Sequence, residues 1–263
     1  MEKITSLQNA RVKNVVHLSK ARERKDQNIF VAEGFREILK AVDAGFNVKE
    51  LYFSKEVNLH PESEKLFRKI PKALFFEVTK AVFEKMAYRE NSDGLIALIV
   101  PRYLKPTDLK LPENPLILVL ESVEKPGNLG AILRTADAAA LDAIIVCDPQ
   151  TDIYNPNVIR SSLGCIFPQQ VATCTTAEAL SFLRDKGIKS FAAALTAQQF
   201  YHETDFTVPS AIVMGTEADG LTEAWLNGAD MQVKIPMCGV ADSLNVSTSA
   251  AILIFEAKRQ RGF

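Results

Sequence analysis

The sequence predicts an α/β protein of two domains, the second built on a parallel β-sheet. Continuous apolar runs recur after residue 115, as is typical of strands buried on both faces of such a sheet. Helical stretches separate these runs, which is the alternation of βαβ units. Four prolines fall just before the first run, at positions 101, 106, 112 and 115, and such a density interrupts regular structure.

The first hundred residues predict a small α/β domain, followed by a linker over 101–115. A helix is predicted over 35–44, and Gly45 is placed to end it. Short strands are predicted on either side of this helix and further along, at 29–32, 50–53, 73–78 and 95–100. The segment therefore alternates strand and helix on a smaller scale than the rest of the chain.

The second domain is predicted to span residues 116–263. Its strands are predicted at the apolar runs 116–120, 143–147, 191–195 and 211–214. Its helices are predicted at 129–140, 176–186 and 246–260. Ligands of open α/β sheets bind beyond the carboxyl ends of the strands, so the loops that follow these runs are the candidate functional segments.

Composition and charge exclude several classes of protein. The chain of 263 residues is 47% hydrophobic and 24% charged, with a net charge of −1, as in globular proteins and unlike a polycation. No apolar run approaches the roughly 18 residues of a membrane helix, and no signal peptide is evident, so we expect a cytoplasmic protein. The first 25 residues nevertheless hold seven lysines and arginines against two glutamates. Such a basic end either contacts a polyanion or is a solvated helix face.

Several familiar sites are missing from the sequence. The four cysteines form no CxxC pair and the three histidines are scattered, so no metal site is expected. The dinucleotide fingerprint GxGxxG and the nucleophile elbow GxSxG do not occur. Gly215 and Gly220 have the spacing of a phosphate-binding P-loop, but Leu221 stands where that motif requires lysine. Nucleoside triphosphate hydrolysis is therefore a weak alternative.

Three polar segments remain as candidates. The first contains Asn128, which we interpret as a helix N-cap, and Arg134, which has small neighbours on its helix face. The second contains Glu217 between two glycines, and its acidic character suits a cationic ligand. The third holds Ser243 and Asn245 at the start of a helix, where more polar groups cluster than one cap requires.

Together these segments resemble the motifs of the SpoU (TrmH) family of RNA ribose 2′-O-methyltransferases. The match is Asn128-x-Gly130-x-x-x-Arg134, then Gly215-x-Glu217-x-x-Gly220-Leu221, then Ile235-Pro-Met237 and Ser243-Leu-Asn-Val-Ser247. Residues 155–164, which include Arg160, also look like the family's segment between its first and second motifs. The N-terminal part resembles the family's small RNA-binding domain, most clearly at Phe30-Val-Ala-Glu33-Gly34.

The resemblance implies a deep trefoil knot in the C-terminal domain, S-adenosylmethionine as methyl donor and a homodimer with a shared active site. It also implies that Gly215, Ile235, Met237 and Leu244 hold the donor. Catalysis is expected from Arg134, with Asn128, Glu217, Ser243 and Asn245 positioning substrate, donor or one another. Arginine is almost always protonated in proteins, so Arg134 is expected to stabilise the developing alkoxide or orient a phosphate.

The substrate implied is a structured RNA, because loop nucleotides expose the ribose better than a duplex does. Ribosomal RNA is the first choice, and transfer RNA remains an alternative. A non-catalytic RNA-binding or ribosome-assembly protein of the same fold is a further alternative. RNA contacts are expected at the basic residues Arg11, Lys13, Arg22, Arg24, Lys25 and Arg160.

Overall fold

The computed structural model describes residues 2–90 and 92–263. Contacts divide the chain into two compact units, each with its own hydrophobic core. Unit 1 comprises Met1–Arg102 and Tyr154–Pro168, and unit 2 comprises Tyr103–Ile153 and Gln169–Phe263. In the described residues, no helix has both the length and the apolarity that a membrane span requires.

Helices and strands alternate along nearly the whole chain. Up to residue 99 the elements are β1 (Glu2–Ile4), α1 (Ala10–His17), α2 (Ala21–Gln27), β2 (Phe30–Glu33), α3 (Phe35–Asp43), β3 (Val48–Phe53), α4 (Ser63–Lys69), β4 (Leu74–Val78), α5 (Lys80–Met86) and β5 (Leu95–Ile99). From residue 116 they are β6 (Leu116–Glu121), α6 (Pro126–Ala138), β7 (Ala143–Cys147), α7 (Pro156–Ser161), β8 (Val171–Cys174), α8 (Thr176–Asp185), β9 (Lys189–Ala193), β10 (Gln199–Phe200), β11 (Ser210–Met214), α9 (Glu223–Gly228), β12 (Met231–Lys234) and α10 (Val246–Arg261).

Unit 1 is built on a mixed sheet. Over its described residues the strand order is β1-β4-β3-β5-β2, with β4 parallel to both neighbours and β5 antiparallel to both of its own. Apolar residues of α1, including Val12 and Val15, pack with Tyr52, Phe76 and Ile96 in its core. The prediction of a small N-terminal α/β domain is therefore confirmed.

Residues 154–168 correct the predicted domain boundaries. They lie in the middle of the segment predicted as the second domain, 116–263, yet they cluster with unit 1. The reason is aromatic packing, since the Phe30 ring stacks on Tyr154 and Phe167 with centroids 4.5 and 5.9 Å apart. Helix α7 contacts β2 as well.

Unit 2 is built on a parallel sheet, as the sequence predicts. Within its described residues the strand order is β10-β12-β9-β11-β6-β7-β8, and each neighbouring pair is parallel. The central strands are buried along their whole length, which explains their continuous apolar sequence. Helices α8 and α9 contact each other, and α10 packs on α6 and β11.

Candidate active site

The candidate segments converge at the carboxyl edge of the parallel sheet. Strands β6 and β11 are neighbours, and β12 pairs with β9 on the other side of β11. The loops that follow β9, β11 and β12 border a cavity of about 530 Å³. We call it the edge cavity; its lining includes residues 193–196, 214–221, 233–235, 237 and 242–244 and the first turns of α10.

The loop after β11 turns back on itself. The backbone N–H of Thr216 donates to the Gly220 carbonyl at 2.9 Å, and Gly220 has φ +71°. A Cβ atom on Gly215 would lie 2.1 Å from that same carbonyl oxygen. Both glycines are therefore required by the shape of the turn: Gly215 by the close approach and Gly220 by its left-handed backbone.

A buried carboxylate holds this loop to the sheet. Glu121, the last residue of β6, is 2% exposed. It accepts hydrogen bonds from the Thr222 backbone N–H at 2.8 Å, the Thr222 hydroxyl at 2.7 Å and the Thr176 hydroxyl at 3.0 Å. Glu121 is not among the site residues predicted from the sequence, although a single carboxylate closing an otherwise apolar run is a visible signal.

Glu217 is the centre of a polar network on the surface of unit 2. Its carboxylate pairs with the Lys125 ammonium and accepts a hydrogen bond from the Asn245 side-chain amide. The same amide donates to the Asn128 side-chain oxygen at 3.3 Å. Lys125, then Asn128 and Asn245, lower the pKa of Glu217, while Glu217 raises the pKa of Lys125. The three segments singled out in the sequence therefore meet through their side chains.

The two asparagines of the network have different local roles. Asn245 is the N-cap of α10, and its side-chain oxygen accepts the Ser247 backbone N–H at 2.9 Å. The interpretation of Asn128 as an N-cap is wrong. Helix α6 begins at Pro126 with Lys125 as N-cap, because proline at the first helical position fixes the backbone there. Asn128 is thus inside the first turn, with its side chain available to Asn245.

The predicted donor-binding residues line the edge cavity. Gly215, Ile235, Met237 and Leu244 all border it, together with Glu217 and Ser243. The Ser243 hydroxyl donates to the Asp242 carboxylate at 3.2 Å. The positions of the second segment are 18 or more residues before those of the third, and the strand order brings them together.

Arg134 does not line the edge cavity of its own chain. It is exposed on α6, six residues beyond Asn128. Among the described residues we find no hydrogen bond or ion pair of its guanidinium. The structure therefore separates the predicted catalytic arginine from the other predicted site residues.

The basic residues predicted to contact RNA lie in unit 1 and differ in exposure. Arg24 is 2% exposed and donates to the Leu18 and Ser19 carbonyls at 2.9 and 2.8 Å, so its predicted RNA contact is wrong. Arg11 is half-buried and pairs with Glu50. The remaining four, Lys13, Arg22, Lys25 and Arg160, are exposed.

The chemistry of the edge cavity suits a cationic ligand with an apolar part. The residues Glu217, Asp219 and Asp242 border it with their carboxylates, and Lys234 is a lining residue whose ammonium lies 5.3 Å from the centroid of the Phe200 ring. Apolar side chains form other parts of the wall, including those of Met214, Leu221 and Leu253. Such a cavity can bind the sulfonium and ammonium groups of a ligand near its acidic residues. It can also bind a ligand's carboxylate near Lys234 and a flat ring against the apolar wall.

Two family models match the chain. The SpoU rRNA Methylase family matches residues 115–255, which include every segment of the edge cavity. The MRM3-like substrate binding domain matches residues 9–97. The two matches correspond to the C-terminal and N-terminal parts that the sequence analysis separates.

Individual proteins are similar over most or all of the chain. A "23S rRNA (guanosine-2'-O-)-methyltransferase RlmB" of Vibrio parahaemolyticus is 37% identical over 70% of this chain and 77% of its own. A "23S rRNA (guanosine(2553)-2'-O)-methyltransferase RlmP" of Bacillus subtilis is 28% identical over 98% of this chain and 100% of its own. The crystal structure of an AdoMet-bound rRNA methyltransferase from Sinorhizobium meliloti is 30% identical, with a TM-score of 0.91 over 98% of this chain and 97% of that one.

Proposed function

The chain belongs to the SpoU rRNA methylase family, and we infer that it transfers the methyl group of S-adenosylmethionine to a ribose 2′-hydroxyl of ribosomal RNA. The observation that carries this inference is the edge cavity, where the loops after β9, β11 and β12 bring acidic residues, Lys234 and an apolar wall around one space. The names of the relatives support ribosomal RNA as the substrate.

The residues of the edge cavity fit the methyl donor. The Gly220 carbonyl occupies the place that a Cβ of Gly215 would take, so only glycine allows the tight turn that borders the cavity. Glu217, ionised through its pairing with Lys125, provides negative charge beside a positively charged sulfur. We assign Ile235, Met237 and Leu244 to contacts with the donor.

When bound, S-adenosylmethionine supplies a methyl group on a sulfonium that an oxygen nucleophile can take. The hydrogen bonds of Asn245 to Asn128 and Glu217 join the first turn of α6, the loop after β11 and the start of α10. Ser243, on the cavity lining, is placed to hydrogen-bond substrate or donor. Correct placement of a weak nucleophile such as a ribose hydroxyl supplies much of the rate acceleration.

Arg134 completes the site from a second copy of the chain. Its guanidinium is exposed and away from the cavity of its own chain, so a homodimer is the arrangement in which it can reach the reacting oxygen. Exposed apolar side chains on α10 and the preceding loop, Phe255 and Leu244, offer area for such an interface. Being protonated, Arg134 donates hydrogen bonds to the oxygen as negative charge develops there.

The proposal also covers RNA binding by unit 1, the chain path of unit 2 and the compartment in which the protein acts. Unit 1 is the substrate-binding part, with RNA contacts at the exposed residues Lys13, Arg22, Lys25 and Arg160. The C-terminal segment of unit 2 forms a trefoil knot, and the protein acts in the cytoplasm, where ribosomal RNA is available. A break in the network of Asn128, Glu217 and Asn245 would disturb the site without touching unit 1.

Methyl transfer from radiolabelled S-adenosylmethionine tests the proposal. The purified chain is incubated with protein-free 23S rRNA, 16S rRNA or bulk transfer RNA, and the product is hydrolysed in alkali. A 2′-O-methyl group blocks cleavage of the neighbouring phosphodiester, so label in alkali-resistant dinucleotides from ribosomal RNA is the expected result. Label in transfer RNA alone would favour the alternative substrate, and donor binding without any transfer would favour a non-catalytic RNA-binding protein.

A further inference from the structure

A second concave site lies in unit 1. It is a pocket of about 140 Å³ whose lining combines residues of α1, β2, the end of α5 and α7. Val15, Val16, Val31 and Ile159 supply apolar walls, and Tyr88 lies on the lining as well. We call it the Tyr88 pocket. Of its lining residues, Arg160 has already been proposed to contact RNA, and the pocket as a binding site has no role in the proposed methyl transfer.

Tyr88 is an exposed aromatic side chain on a fixed backbone. Its side chain is 54% exposed, while its backbone N–H donates to the Glu33 carboxylate at 2.6 Å. Glu33 is 7% exposed, and burial raises its pKa. A buried carboxylate is costly to keep, so its use as an anchor for this backbone indicates that the position of Tyr88 matters.

A second buried carboxylate fixes the next residue. The Arg89 guanidinium pairs with Glu37, which is 3% exposed. Gly34 lies against this pair with φ +102°, and a Cβ there would lie 2.6 Å from the Glu37 carboxylate. Residues 88 and 89 are thus held from the β2–α3 corner, and the Tyr88 ring is presented from a rigid support.

The charge at the pocket is positive. Lys85 and Arg160 lie on its lining and are exposed, and we find no ion pair of either within the part of the chain that the structure describes. The two carboxylates nearby, Glu33 and Glu37, are buried. Two exposed cations beside an exposed aromatic ring are the combination that binds single-stranded nucleic acid, by phosphate contacts and base stacking.

We propose that the Tyr88 pocket binds one unstacked nucleotide of single-stranded RNA, with the base against Tyr88 and the flanking phosphates on Lys85 and Arg160. This inference rests on the proposed action on RNA and adds the place where a loop nucleotide is held. A duplex cannot enter, since its bases are stacked and paired. The edge cavity receives the donor, and the Tyr88 pocket receives a substrate nucleotide that is not itself methylated.

Binding of a short RNA to the intact chain tests the proposal without methyl transfer. The probe is a 12-nucleotide single-stranded oligouridine with one central 2-aminopurine, whose fluorescence falls when it stacks on an aromatic ring. The unaltered chain is expected to quench the single-stranded probe, whereas adding it to the same strand in a duplex, where the 2-aminopurine is already stacked, is expected to cause no further quenching. Tyr88→Ala is expected to abolish the quenching and weaken binding roughly 5- to 150-fold, and Tyr88→Phe to retain both.

Matched variants separate stacking from general loss of structure. Tyr103→Ala removes an aromatic side chain of the same exposure, 54%, in unit 2, and is expected to leave RNA binding unchanged. Lys85→Ala and Arg160→Ala are each expected to reduce the slope of log affinity against log salt by about 0.7 while quenching persists. Thermal melting of every variant shows whether unit 1 remains folded.

Several outcomes would overturn the proposal. They are no binding or no quenching by the unaltered chain, equal loss in Tyr88→Ala and Tyr103→Ala, or unchanged salt slopes in both cation variants. The proposed methyl transfer can survive each of these results, because donor binding and label transfer are measured separately. Conversely, quenching that depends on Tyr88 in a chain without methyl transfer would support nucleotide binding at the Tyr88 pocket and contradict the proposed methyltransferase activity.

Discussion

Two glutamates, Glu33 at the end of strand β2 in unit 1 and Glu217 in the loop after β11 in unit 2, have opposite surroundings. Glu33 is 7% exposed, holds a backbone N–H, and has its pKa raised by burial. Glu217 lies at the surface, pairs with Lys125, and has its pKa lowered by that pairing. One carboxylate supports the backbone, and the other presents a permanent charge to a cavity.

Two arginines of the two units differ in the same way, one buried and one exposed. Arg24 of unit 1 is buried and donates to backbone carbonyls, whereas Arg134 of unit 2 is exposed on α6. Charge in a sequence therefore does not identify a binding residue by itself. What distinguishes a structural charge from a functional one is whether its hydrogen bonds are already made inside the fold.

The largest expected effect is at Arg134. Arg134→Ala is expected to lower the rate of methyl transfer on the order of 100- to 1000-fold, because a donor to the developing alkoxide is lost. S-adenosylmethionine binding and thermal stability should stay unchanged, since the side chain is exposed and outside the cavity of its own chain. Transfer assays and calorimetric titration on the same preparation check this, and near-normal transfer would remove Arg134 from catalysis.

Arg24 supplies the contrasting arginine. Arg24→Ala is expected to lower the free energy of unfolding by about 1–3 kcal/mol, because the Leu18 and Ser19 carbonyls lose their donor. Urea unfolding measures this change. Arg22→Ala, which removes an exposed arginine of the same helix, is the control and should change stability little. A loss of RNA affinity at unchanged stability in Arg24→Ala would contradict the structural role.

Glu217→Gln removes the charge and keeps the shape. Donor affinity is expected to fall roughly tenfold, in line with the loss of one charge-assisted contact. Because the pKa of Glu217 is already lowered by Lys125, the unaltered chain should bind the donor equally well from pH 8 down to about 5. Titrations across this range test both statements. A donor affinity that falls between pH 8 and 6 would show that another group provides the charge.

Glu33→Gln has the smallest effect and the opposite dependence on pH. The raised pKa means that near pH 4 the carboxyl is protonated in both folded and unfolded chains, with little difference between variant and unaltered protein. As the pH rises, the unfolded chain loses this proton first, so the unaltered protein loses stability relative to Glu33→Gln. Melting temperatures from pH 4 to 8 should therefore diverge in favour of the variant, and a constant difference would contradict this account.

The sequence predicts the parts of the fold that depend on burial alone. The runs at 116–120, 143–147 and 211–214 are strands because both faces are covered, and their composition reflects this directly. The short strands β8 and β12 were not predicted, since they are partly exposed and carry polar residues. The position of 154–168 depends on aromatic contacts with a distant strand, which no local pattern reveals.

The candidate site was predicted as three segments, and the structure adds how they are joined. Lys125 was missed because an isolated charge next to a motif has no distinguishing pattern until its partner is known. Glu121 did have a signal, since it is the one carboxylate at the end of an apolar run. The misassigned cap at Asn128 had a readable signal in Pro126, which favours the first helical position. The burial of Arg24 could not be predicted from a cluster of basic residues. It depends on how α2 packs against the end of α1, where Arg24 donates to two backbone carbonyls.

Calorimetric titration of S-adenosylmethionine into the intact chain tests the central claim, that the loops after β9, β11 and β12 of unit 2 form one donor site. The account predicts saturable binding of one donor per chain. It also predicts at least a tenfold loss in Gly215→Ala, whose Cβ would meet the Gly220 carbonyl at 2.1 Å and deform the loop. Binding that is absent in the unaltered chain, or undiminished in Gly215→Ala, would contradict it.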